Sequence, residues 1–110
     1  MKQGEIYWAL LDPTQGKEQT GKRPVLIISG NAMNHHLGLI IVCPLSSSQK
    51  NYPGSVFIPA NQENGLSKDS EVLSFQVRTL SKKRFSGHLG CVSKQQLKQV
   101  IFALNEVLTY

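Results

Sequence analysis

The chain has 110 residues, enough for a single core of ordinary size. Apolar residues make up 40% and charged residues 17%, a globular balance that excludes a disordered charged tail. Lys and Arg number 12 against 7 Asp and Glu, and this excess favours polyanionic partners, nucleic acid first.

Two cysteines exclude a disulfide-dense secreted scaffold. The apolar runs 24–28 and 37–45 fall far short of the ~20 residues of a membrane span. The opening Met1-Lys2-Gln3-Gly4-Glu5 carries no apolar stretch of the kind a secretory leader needs. The expectation is a reduced, soluble, cytoplasmic protein with no membrane partner.

Residues 6–11 read as a strand rich in aliphatic and aromatic side chains. Residues 12–22 collect Asp, Pro, Thr, Gln and two Gly, and read as a long loop of the kind that is usually functional. Residues 24–29 and 38–45 read as buried strands, with one turn or one helical turn between them at 30–37. A second polar loop, 46–54, ends in Tyr52-Pro53-Gly54. A short strand at 55–58 stops before Pro59, and 61–69 is rich in turn residues. Residues 71–80 alternate as one long strand, 82–84 form a basic turn, and 85–92 form a last short strand. The spacing of Leu97, Val100, Ile101, Leu104, Val107 and Leu108 predicts a helix over 93–108, capped by Ser93. No repeat or linker interrupts the chain, so residues 1–110 are expected to form one domain. Many short strands and a terminal helix predict an α+β, mainly β fold: a small antiparallel barrel or twisted sheet with a helix packed on it.

Several constellations carry no chemistry on this reading. Gly16-Lys17-Glu18-Gln19-Thr20-Gly21-Lys22 approaches a phosphate-binding loop, but Arg23 stands where a magnesium-holding Ser or Thr is needed. A strand follows it, not a helix. His35 and His36 are adjacent and diverge on any regular element, and His88 is remote. Cys43 and Cys91, each expected within a buried strand, lack partners at metal-ligand spacing. No metal or cofactor is expected.

The polar loops are more informative. Glu18, Gln19, Lys22 and Arg23 close the first loop; Ser46, Ser47 and Lys50 lie in the second; Gln76, Arg78 and Thr79 lie on the strand 71–80. If the second, third and fifth strands are neighbours, these groups converge at one end of the sheet. Arg23 opens a buried strand, a place packing alone does not choose for a charge. Its planar fork can clamp a phosphate, and the Ser46 hydroxyl can bond a non-bridging oxygen. Solvated loop groups and a Glu18–Arg23 ion pair are the plain alternative.

The strings Gly4-Glu5-Ile6-Tyr7-Trp8, Asp12-Pro13, Gly16-Lys17-Glu18-Gln19-Thr20-Gly21-Lys22-Arg23-Pro24 and Gln76-Val77-Arg78-Thr79-Leu80 resemble the MazF/PemK toxins of bacterial toxin–antitoxin systems. Pro44-Leu45-Ser46-Ser47, Lys50-Asn51-Tyr52-Pro53 and Asn64–Leu73 extend the resemblance over nearly the whole chain. It implies a CcdB/MazF-like, SH3-like barrel acting as a homodimer. It implies metal-independent cleavage of single-stranded RNA, giving 2′,3′-cyclic phosphate and 5′-OH ends. It also implies a cognate MazE/PemI-like antitoxin. Carried over by position, Arg23, Ser46 and Glu18 are the catalytic candidates. Gln19, Lys22, Ser47, Lys50, Gln76 and Arg78 are RNA-binding candidates. The sequence departs from the family pattern at Phe75, where many members carry an acid used as a base in some of them. Phe75 cannot accept a proton but can stack on a base. The alternatives are a gyrase-inhibiting toxin of the same fold, as in the CcdB type, and an RNA-binding barrel without chemistry.

Overall fold

The computed structural model describes residues 1–11 and 21–109. The strands are β1 (Glu5–Leu10), β2 (Lys22–Ile27), β3 (Leu39–Ser46), β4 (Ser55–Ile58), β5 (Ser70–Leu73), β6 (Arg78–Ser81) and β7 (Phe85–Cys91). A short helix α1 (Asn31–His36) joins β2 to β3, and a long helix α2 (Lys94–Thr109) follows β7. Every ladder is antiparallel. The order across the sheet is β4-β5-β3-β2-β1-β7, with β6 also on β3. The sheet stays open: among the described residues no ladder joins β4 to β7.

β3 organises the sheet. One edge pairs with β2 through Val25↔Pro44, Leu26↔Cys43 and Ile27↔Val42. Its other edge is shared, Leu39–Val42 going to β6 and Leu45–Ser46 to β5. The single strand expected over 71–80 is therefore two strands broken by a 3₁₀ turn, Ser74–Gln76. Pro44 gives a physical reason. The Ile41 carbonyl accepts from Ile28 on the β2 side, and main-chain groups alternate edges along a strand. Pro44 therefore faces the other edge, where it has no N–H to donate, and the partner strand breaks there.

Apolar side chains line both faces of β2 and β3, which is why each reads as a continuous apolar run. On one face Ile6, Leu26, Cys43, Leu45, Ile58 and Val72 form a core that α2 covers with Val100. On the other face Ala9, Val25, Ile27, Ile40, Val42 and Leu80 pack with Tyr7 and Phe85.

α2 starts with a capping box. The Ser93 hydroxyl accepts from Gln96 N at 3.0 Å, and Gln96 Oε1 accepts from Ser93 N at 3.0 Å. Its apolar stripe is only partly covered: Val100 is buried, Leu97, Ile101 and Leu104 are half-buried, and Val107 and Leu108 are exposed. Gly90 sits against the 61–66 turn so closely that a Cβ there would lie 2.1 Å from the Glu63 carbonyl oxygen. Cys91 is exposed, not buried as its strand suggested, because it lies at the end of β7. Arg84 is not a free member of the basic turn: its Nη1 donates to the Leu10 and Leu11 carbonyls at 3.2 Å each. Among the described residues no helix is long and apolar enough to cross a membrane.

Candidate active site

The polar residues gather at the end of the sheet where β2 begins and β3 finishes. Ala9 pairs with Arg23, and Ser46 pairs with Glu71, which also pairs with Phe57. Continuing the β2–β3 register two residues beyond Val25↔Pro44 sets Arg23 opposite Ser46. One transverse row therefore carries Arg23, Ser46 and Glu71 on the face that holds Val25 and Val42. These residues lie on neighbouring strands for the same reason the core does: register fixes which side chains share a face.

Two clefts meet at this row. The larger, about 480 Å³, is lined by Trp8, Lys22, Arg23, Ser46, Ser47 and Lys68, among others. The smaller, about 180 Å³, is lined by Arg23, Ser46, Lys50, Tyr52, Glu71 and Gln76, among others. Arg23 and Ser46 belong to both. The Ser46 hydroxyl accepts from Ser48 N at 3.2 Å, so its own proton is available to donate outward. Arg23 and Lys22 are exposed, which leaves their charge to face an anion in the cleft.

Beside the smaller cleft lies an aromatic patch formed by Tyr52, Pro53 and Phe75. The Tyr52 and Phe75 rings meet edge to face with centroids 5.6 Å apart. The 3₁₀ turn that breaks β5 from β6 projects Phe75, which is 37% exposed. The Ser74 hydroxyl bonds the Gly54 carbonyl, which ties this turn to the end of the 47–54 loop. Gly54 has φ of +86°, and a Cβ there would meet Val107 Cγ2 at 2.7 Å, so α2 presses on the same joint.

Arg23, Ser46, Lys22, Ser47, Lys50 and Gln76 thus come together as the sequence suggests, with Phe75 alongside. Arg78 lies on β6 opposite Val42 and lines neither cleft. Glu18 and Gln19 lie outside the described residues. Sequence reasoning missed Trp8 and Glu71. Trp8 is 39% exposed beside Pro24, its β2 partner. Glu71 is 2% exposed and accepts from the main chain of the second loop. The visible signal for Glu71 was an acid opening the strand-like run 71–80, directly before the apolar Val72 and Leu73.

Two groups titrate above their ordinary values, a thiol and a phenol. Burial pushes the Cys43 thiol up to about 12 from 9.0. Burial, then the nearby Glu5 carboxylate, raise the Tyr7 phenol above its usual value.

Residues 2–108 match the family described as PemK-like, MazF-like toxin of type II toxin-antitoxin system. The chain belongs to this family. It is 36% identical over 107 residues to the endoribonuclease MazF of Staphylococcus saprophyticus, covering 96% of this chain and 88% of that protein. A crystal structure of MazF from Deinococcus radiodurans superposes with a TM-score of 0.81 at 32% identity, over 100% of this chain and 97% of that one. A MazE–MazF crystal structure from the same organism gives 0.82 at 32% identity, over 99% and 96% of the two chains. The Mycobacterium tuberculosis toxin MazF-mt6 shares the fold, with a TM-score of 0.81 at 23% identity over 96% of each chain. The open antiparallel sheet with its terminal helix is the MazF architecture.

Proposed function

We propose that this chain is a sequence-specific endoribonuclease toxin that cuts single-stranded RNA without a metal ion and is neutralised by a cognate antitoxin. The observation that carries the reading is the meeting of Arg23 and Ser46 at both clefts, in a chain of this family. The ribose 2′-OH attacks the adjacent phosphorus, and the 5′ oxygen of the next nucleotide leaves. The products are a 2′,3′-cyclic phosphate and a 5′-OH. Negative charge grows on the non-bridging oxygens in the transition state. Arg23 meets it with two parallel N–H donors, and Ser46 adds a hydroxyl donor.

Lys22 and Lys50 hold flanking phosphates. Ser47 and Gln76 offer hydrogen bonds to base edges, and Phe75 with Tyr52 stacks a base. The 2′-OH needs a proton acceptor. Phe75 has none, and both Glu71 oxygens are engaged by the loop. Glu18 is the carboxylate that the sequence motif offers, and Arg23 can protonate the leaving oxygen. Arg78 acts from β6 on RNA beyond the clefts.

The whole chain, 1–110, works as one cytoplasmic toxin domain. It pairs as a homodimer, since one small sheet presents a short basic groove to RNA. The antitoxin is an acidic segment that folds over the same groove and competes with RNA. Incubation of the purified protein with a long RNA in EDTA, with mapping of the cut ends, tests the reading directly. Cuts at a short motif with 5′-OH ends are expected. Cleavage abolished by EDTA and restored by magnesium overturns the metal-free mechanism. Phe75 favours one second reading, an RNA-binding protein without chemistry; retention of RNA on a filter without any cut ends is its signature.

A further inference from the structure

We propose that Glu71 is a positioning residue for RNA cleavage: its buried carboxylate holds the 47–54 loop in the shape that presents Lys50 and Tyr52 to the Arg23–Ser46 cleft. This rests on reading that cleft as the RNA site.

Glu71 is 2% exposed, on β5, in the same transverse row as Ser46. A carboxylate is not kept in such a place by packing, because its desolvation is unfavourable unless hydrogen bonds replace the lost water. The replacements come from the loop. Glu71 Oε1 accepts from Lys50 N at 3.1 Å and Asn51 N at 3.3 Å, and Oε2 accepts from Asn51 N at 3.0 Å. Successive main-chain N–H groups converging on one point form an anion-binding nest, and here the anion is the chain's own side chain.

The loop's backbone needs such an anchor. Gln49 and Asn51 both have positive φ, 51° and 54°, although neither is glycine. That conformation is unfavourable for Gln49 and costs Asn51 less, since Asn tolerates it better than other L-residues but less well than glycine. Lys50 lies between the two, so its direction depends on both. Tyr52 follows directly, and its ring meets Phe75. The side chains of Lys50 and Tyr52 line the same small cleft as Arg23 and Ser46. The nest also spends these loop N–H groups internally. Phosphate binding therefore falls to the side chains of Arg23, Ser46 and Lys50. With both oxygens engaged by the loop and only 2% of its surface exposed, Glu71 acts on RNA through the loop, not by direct contact.

The test compares Glu71→Gln with wild type by amide hydrogen exchange and by steady-state cleavage of RNA with sequencing of the cut sites. An amide oxygen replaces only one acceptor, so exchange at Lys50 and Asn51 should quicken by about tenfold or more. Exchange at Leu26 and Val42 should stay unchanged. KM should rise about tenfold with a smaller fall in kcat, the sign of lost uniform binding, and the cut-site preference should broaden. Adding Asn51→Gly to Glu71→Gln should recover part of the KM, since glycine takes positive φ without penalty. Glu71→Asp retracts the acceptor and should give the same pattern, and it serves if Glu71→Gln does not fold. Unchanged exchange at Lys50 and Asn51 overturns the proposal. So does a variant that only melts earlier, with the KM and cut-site preference of its folded fraction intact. A wild type that cuts no RNA sinks the functional reading of the cleft instead, and the exchange result still decides the anchor.

Discussion

β2 and β3 each change character along their length, and the two halves have opposite uses. The half containing Val25–Ile27 and Ile40–Cys43 is apolar on both faces and nearly free of solvent. The end containing Lys22, Arg23, Ser46 and Ser47 is polar and opens on the clefts. The same ladder holds both, so the rigid half fixes the spacing of the exposed half. A charged fork on a strand is better aimed than one on a loop, because its backbone cannot drift.

If the two halves are separable in this way, mutations should divide cleanly. The largest effect should come from Arg23→Ala, with cleavage falling by about 10²–10³ as a transition-state contact is lost. Its thermal unfolding midpoint should stay within a few degrees of wild type, and Arg23→Lys should not restore the rate. Near-normal cutting by Arg23→Ala would break the comparison at its polar end.

Leu26→Ala should do the reverse, lowering unfolding stability by about 2–5 kcal/mol in a denaturant titration. Its cleavage rate per folded molecule should be retained. Ser46→Ala should slow cleavage by about tenfold, with Ser46→Thr close to wild type, because only the hydroxyl matters.

Among the lysines, Lys50→Glu should weaken RNA binding and reduce the slope of log K against log salt by about 0.7 or more, the share of one phosphate contact with a single strand. Lys83→Glu, outside both clefts, should do less. Equal effects would mean that general charge, not the cleft, draws the RNA.

The smallest effect belongs to the thiols. Native protein should react with a disulfide reagent at the exposed Cys91 and not at the buried Cys43, and unfolding should release the second thiol. The folded Cys43 stays neutral up to about 12, whereas the unfolded thiol ionises from 9.0. Alkali therefore draws protons from the unfolded chain first, and Cys43 makes stability fall as pH rises from 9.0 towards 12. Cys43→Ala should flatten that limb of the stability curve.

Much of this was legible in the residues. Apolar runs located β2 and β3, the Ser93 cap and the 3.6-residue spacing located α2, and family-like strings pointed to Arg23 and Ser46. The long strand over 71–80 was misread because alternation is compatible with two short strands in line. Local pattern does not reveal that β3 has a proline at the point where its partner must break. The spacing of α2 likewise gives the apolar stripe but not how far the sheet extends beneath it, so the exposure of Val107 and Leu108 came only from the fold. Glu71 escaped notice because an acid in a strand looks like a solvated edge residue until the loop above it is in place.

The amino-acid sequence by itself determined the family and most of the elements, and it named the candidate groups of the site, because each is written in side-chain type and short-range spacing. Only the tertiary structure decided that Arg23, Ser46 and Glu71 form one row, and that Phe75 stands beside Tyr52. It alone shows that the Glu71 carboxylate faces inward to the loop. Those facts depend on strand register and on a chain folding back some twenty residues later, as Lys50 and Asn51 do on Glu71. Long-range pairing of that kind is fixed by the packing of the whole core and leaves no mark in any local window of sequence.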